Sequence, residues 1–196
     1  MREEGEHNNM LKEKYELNTP IFEEDLSDGE MVELQADLES GVAKEFGHGT
    51  YYYPVKRPTR GDSLLNPQPV IERRFLSGAN GFYSGLTLLN IARVSTQIPN
   101  RVELTSNNAT DDDYFVKVGV SRVKVQKPPT TIVEENIRAL QFLDLLHLAD
   151  YVGIDRYERE GIMYFKDKLN VDVEDLIPYL SFYPNAINSL KEVGLV

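Results

Sequence analysis

The run Gly47-His48-Gly49-Thr50-Tyr51-Tyr52-Tyr53-Pro54 decides the fold. A glycine-flanked turn leads into an aromatic strand that ends at proline, the pattern of a small β-hairpin. The first strand of that hairpin is Val42-Ala43-Lys44-Glu45-Phe46. Before it, residues 28–40 carry Met31, Leu34 and Leu38 at spacings of three and four, one apolar stripe along a helix. Ser27 or Asp28 caps that helix and Gly41 stops it. Helix, glycine stop, strand, glycine-rich turn and aromatic strand follow one another in the order of a winged helix. The last helix is then the recognition helix and the hairpin its wing.

Such a wing points to nucleic acid. Lys44 lies on its first strand, His48 at its tip and Tyr51 on its return, with Lys56, Arg57 and Arg60 just beyond. These side chains are suited to phosphate and base contacts. On the helix, Gln35 is the residue able to read a base edge. Yet residues 28–40 contain no Lys or Arg, and Glu30, Glu33, Asp37 and Glu39 are expected on the face opposite the apolar stripe, where carboxylates repel phosphate.

Upstream, residues 3–17 have a helical pattern, and Thr19-Pro20 predicts a second short helix burying Ile21, Phe22 and Leu26. Downstream, Arg57-Pro58-Thr59-Arg60-Gly61-Asp62 is turn-rich and places a boundary near residues 57–66. A helix follows from Asn66-Pro67 to Phe75, and an apolar one over residues 82–91, separated by Gly78-Ala79-Asn80-Gly81. Strands are expected at 101–105, 114–118 and 121–125, then helices at 133–150, 157–169 and 173–180 and from Pro184 to near Gly194. The expected architecture is α+β. A degenerate acidic winged helix-turn-helix (1–60) precedes an α/β domain with a small antiparallel sheet (61–196), whose tail from about 130 is helical.

The chain of 196 residues has a net charge of -11 and no cysteine. Disulfides, thiolate zinc sites and a cysteine nucleophile are thereby excluded, and a cytoplasmic setting fits. No apolar run approaches a membrane span, and the acidic start is no signal peptide. Residues 1–49 carry a net -10, residues 56–127 a net +5 and residues 128–196 a net -6. His7, His48 and His147 stand at no metal-ligand spacing, and Asp111-Asp112-Asp113 reads as a polar turn. Neither glycine-rich turn is a phosphate loop, and Ser84-Gly85 forms no nucleophile elbow. The expectation is therefore a non-enzyme without metal or cofactor. The middle third groups Arg73, Arg74, Arg93, Arg101, Arg122 and Lys124, which are candidates for an acidic partner.

Six stretches in order carry a family resemblance: 38–41, 47–54, 81–90 and 95–100, with Gln141–Leu145 and Tyr179–Pro184 in the tail. From about residue 15 the chain resembles the AbiEi-type antitoxins of bacterial abortive-infection type IV toxin–antitoxin systems, in a Firmicutes-like branch. The resemblance implies a cytoplasmic phage-defence protein in two domains. The winged helix would repress its own operon, and the second domain would antagonise a nucleotidyltransferase-like toxin, without a cofactor. The segment between Phe22 and Met31 is shorter than the family pattern. The competing expectation is a non-enzymatic interaction module whose acidic N-terminal domain binds a basic partner instead of DNA.

Overall fold

The computed structural model describes residues 10–196, so the expected helical start at 3–9 lies outside the described residues. The chain divides into two compact units, Met1–Val70 and Ile71–Val196.

The first unit runs α1 (Met10–Lys14), β1 (Ile21–Phe22), a 3-10 turn (Glu23–Asp25), α2 (Asp28–Glu39), β2 (Lys44–Glu45) and β3 (Thr50–Tyr52). Its three-stranded sheet has the order β1-β3-β2, antiparallel throughout. The short helix expected after Thr19-Pro20 is replaced by β1, with Ile21 opposite Tyr51 and Phe22 opposite Thr50. A helix this short nucleates poorly, whereas the open edge of β3 supplies ladder partners at once. Leu11, Ile21, Leu34, Ala43 and Tyr53 form the core, with Met31 and Leu38 packed against it.

The α2 N-terminus is closed by a capping box. The Ser27 side chain accepts from the Glu30 backbone N–H, and the Glu30 carboxylate accepts from the Ser27 backbone N–H at 2.9 Å. The opposite-face expectation for Asp37 fails. Asp37 is buried and accepts a 2.6 Å hydrogen bond from the Tyr53 hydroxyl, because it sits one turn beyond Leu34 on the inner face.

The expected linker at 57–66 is also ordered. β4 (Lys56–Arg57) pairs with β5 (Gly61–Asp62), and Lys44 on β2 makes a 3.2 Å ion pair with Asp62. Ser63 holds this hairpin to the chain leaving β3, its backbone N–H donating to the Val55 carbonyl and its hydroxyl accepting from the Val55 N–H.

α3 (Gln68–Phe75) runs across the boundary. The second unit continues with β6 (Gly81–Tyr83), α4 (Gly85–Ile91), β7 (Val102–Ser106), β8 (Asp113–Val118) and β9 (Ser121–Gln126). α5 (Ile137–Val152), α6 (Arg156–Leu169), α7 (Val173–Leu176), a 3-10 segment (Ile177–Phe182) and α8 (Ala186–Glu192) complete it. The single helix expected over 82–91 is thus a strand followed by a helix. Gly81-Phe82-Tyr83 pairs with β7, a long-range partner that local apolarity does not reveal.

The sheet order is β6-β7-β9-β8, and β7 and β9 are parallel, so the sheet is mixed and not antiparallel. The chain carries β8 past the position beside β7, and the turn at Gly119 folds β9 back between them. The C-terminal helices pack into the same core as α4 and β6. Phe82, Leu88 and Leu89 share one core with Leu140, Leu143, Ile162, Phe165 and Leu190. Each such fully buried side chain contributes about 1.5–3 kcal/mol.

Candidate interaction surfaces

In the first unit the solvent stripe of α2 is Asp28, Val32, Gln35 and Glu39, at spacings of four, three and four. Gln35 is exposed at its centre, beside Val32, which is 69% exposed. Of the four carboxylates read as an outer face, Asp37 is buried on Tyr53 and Glu30 pairs with Lys14. The Lys14 hydrogen bond, with help from the Ser27 N–H, holds the Glu30 carboxyl down to about 2. Glu33 is half-buried, so of the four Glu39 alone lies on the outer stripe, with Asp28 at the other end of it.

The wing candidates separate into two groups. Lys44 is tied to Asp62. His48 is exposed at the tip with φ +59°, a turn backbone. Tyr51 donates to the Glu23 carboxylate at 3.4 Å, and burial with the charges of Glu23 and Glu45 pushes its hydroxyl pKa up. The surface of the β2–β3 hairpin is therefore acidic around Tyr51. Lys56, Arg57 and Arg60 are all exposed and lie together on the β4–β5 hairpin.

In the second unit the mixed sheet gathers three of the six partner candidates. The register places Phe115 opposite Lys124, Lys117 opposite Arg122, and Glu103 beside Lys124. Alternation puts Phe115, Arg122 and Lys124 on one face, away from Val123 and Val125. The Arg122 guanidinium carbon lies 4.2 Å from the Phe115 ring centroid and that of Arg101 lies 5.6 Å from it. Phe115 remains 48% exposed between them. Arg101 also donates to Glu103 at 2.8 Å, and Lys124 pairs with Asp113 at 3.1 Å. A cation–aromatic–cation stack on a sheet surface suits an acidic partner. The sequence missed Phe115, although the alternation of 113–118 against 121–126 across Gly119 holds the signal.

The remaining candidates stand apart. Arg73 is exposed on α3; Arg74 is half-buried, and its Nη1 has no hydrogen-bond partner among the described residues. Arg93 lies beyond α4 with its guanidinium carbon 4.3 Å from the Tyr164 ring centroid. Asp113 of the acidic triplet begins β8. Among the described residues no three His, Asp or Glu side chains form a metal cluster.

Next to this face, around Glu103, lies a polar interior that sequence reading did not assemble. Glu103 is buried against Gly85, whose φ of +56° and lack of a side chain admit it; a Cβ there would fall 1.9 Å from Glu103 Oε2. Asp144 on α5 has a buried Oδ2 without a hydrogen-bond partner among the described residues. Burial, and then the charge of Glu103, push its carboxyl up to about 7. His147, one turn on, lies edge-on to Tyr151 and Tyr183, and burial lowers its pKa against the pull of Asp150. Burial, and then Asp144, push the Tyr183 hydroxyl up.

Among the described residues no helix is long and apolar enough to cross a membrane. Comparison with protein-family models finds no family that matches the chain, and no curated protein matches it.

Proposed function

We propose that the chain is a non-enzymatic, cytoplasmic antitoxin of the AbiEi type, with an N-terminal winged helix and a second unit that antagonises a nucleotidyltransferase-like toxin. What supports this reading is the order α1-β1-α2-β2-β3 with a β1-β3-β2 sheet, which resembles a winged helix whose middle helix is reduced to the 3-10 turn Glu23–Asp25. In this reading α2 is the recognition helix, and the contact that neutralises the toxin is the basic aromatic face of Arg101, Phe115, Arg122 and Lys124.

The gene product encoded beside this chain is the natural test object. Co-expression should relieve its toxicity, and charge reversal at Arg122 should abolish that relief. Persistent toxicity beside the wild-type chain would count against the antitoxin reading. The rival, an acidic interaction module, is favoured by the exposed run Glu23-Glu24-Asp25 beside the wing. It gains ground if the protein ignores its upstream DNA and retains a basic protein instead.

A further inference from the structure

We propose that the cleft between Arg93 and the outer face of α6 binds a nucleoside monophosphate whose base carries an exocyclic amine. Tyr157, Glu160 and Tyr164 follow one another on that face at spacings of three and four. Gly161 forms the floor between them. A Cβ at Gly161 would lie 2.6 Å from the Arg93 carbonyl oxygen, so the helix rests directly on the chain at Ala92 and Arg93. The cleft holds about 230 Å³, room for one planar ring with its substituents and not for a helix or strand.

Arg93 adopts φ +61°, a left-handed backbone that a non-glycine residue takes only when its surroundings impose it. That turn lays its guanidinium over the Tyr164 ring at 4.3 Å. Among the described residues no carboxylate pairs with Arg93. The two tyrosines stay exposed, Tyr157 at 46% and Tyr164 at 40%, so both offer a ring edge or face to a ligand.

The lining is mixed in sign, and this selects the ligand. Glu160 accepts from Arg156 at 3.1 Å through Oε1, and its second oxygen has no partner among the described residues. An acidic peptide entering toward Arg93 would meet that carboxylate. A nucleotide keeps its charges apart: phosphate on Arg93, base against tyrosine, exocyclic amine on Glu160. This inference is independent of the antitoxin reading.

The test is calorimetric titration of the full chain with AMP, GMP, CMP and UMP, and with inorganic phosphate. The three amine-bearing nucleotides should saturate, with UMP and phosphate at least about tenfold weaker. Arg93→Ala and Tyr157→Leu should each weaken AMP about tenfold, with thermal melting confirming that the variants fold. On the wild-type protein, AMP should shift the ring-proton resonances of Tyr157 and Tyr164, a readout that needs no variant. No saturation by any nucleotide below about 1 mM, equal binding of UMP, or AMP binding that leaves both tyrosines unshifted would overturn the proposal.

Discussion

The Arg122 guanidinium carbon stands 4.2 Å from the centroid of the Phe115 ring, on a sheet face that also carries Arg101 and Lys124. Half-exposed aromatic surface held between two cations does little for folding, since a surface cation–π pair is worth about 0.5–1 kcal/mol. Its cost is accepted more readily at a place where another molecule lands. Arg122→Glu and Phe115→Ser should therefore change stability by no more than about 1 kcal/mol in urea unfolding while abolishing toxin neutralisation in cells. Arg73→Glu, on a helix outside this face, serves as the comparison and should neutralise normally. Neutralisation that survives both face variants would remove this face from the contact.

Asp144 gives a pH dependence of the opposite sign to that of a salt-bridged carboxylate. Its folded-state value is raised from 3.8 to about 7, so the folded chain holds a proton that the unfolded chain has released. No penalty exists below about pH 4. It grows between pH 4 and 7 and is complete above 7, where the buried carboxylate faces Glu103 without a hydrogen-bond partner at Oδ2. Asp144→Asn should stabilise the protein by on the order of 2–4 kcal/mol at pH 8 and by little at pH 4.5. Parallel denaturation curves at the two pH values measure this, and equal gains at both would show that ionisation is not the cause.

Much of the first unit was legible because its signals are local. The Ser27 and Glu30 capping box, the Met31-Leu34-Leu38 stripe and the glycine-flanked hairpin each depend on residues a few positions apart. Asp37 was misplaced for a different reason. Its spacing from Leu34 already put it on the inner face, but a buried carboxylate is expected only where a donor waits, and Tyr53 arrives from the far side of the hairpin. β1 and β6 were read as helix because two or three apolar residues have no period, and their strand partners are more than 20 positions away. The Arg101–Phe115–Arg122 stack needed the parallel β7–β9 register, which nothing in the local pattern specifies.

The Tyr53–Asp37 hydrogen bond ties the exit of β3 to α2 at 2.6 Å. Tyr53→Phe removes the donor but keeps the ring in the core, leaving a buried carboxylate short of one partner. The expected loss is about 1.5–3 kcal/mol in chemical denaturation. Hydrogen exchange should show the opening concentrated in α2 and the β2–β3 hairpin, and uniform protection across the first unit would argue that this bond does not couple them.

Gly161 reverses the usual helix rule. Replacing a mid-helix glycine with alanine ordinarily gains about 1 kcal/mol. Here the new methyl would meet the Arg93 carbonyl oxygen at 2.6 Å and that of Ala92 at 2.9 Å, backbone atoms that have no easy retreat. Gly161→Ala should destabilise by about 1–3 kcal/mol, read as a lower thermal midpoint, and a raised midpoint would mean that α6 slides away without cost.

The first unit's surface makes the DNA question quantitative. With Asp37 buried and Glu30 on Lys14, the solvent-facing stripe of α2 offers Gln35 between Val32 and the end carboxylates Asp28 and Glu39, and no cation. Phosphate attraction must then come from the β4–β5 hairpin, where Lys56, Arg57 and Arg60 are exposed together. If the chain binds its upstream DNA, the logarithm of affinity should fall with the logarithm of salt at a slope near -2.7, about -0.9 for each of three phosphate contacts. Lys56→Ala with Arg57→Ala should reduce that slope by about 1.8, whereas Gln35→Ala should leave it unchanged and narrow the gap between operator and unrelated DNA. Fluorescence anisotropy from about 50 to 200 mM salt reads both quantities, and a slope untouched by the hairpin substitutions would move the phosphate contacts elsewhere in the chain.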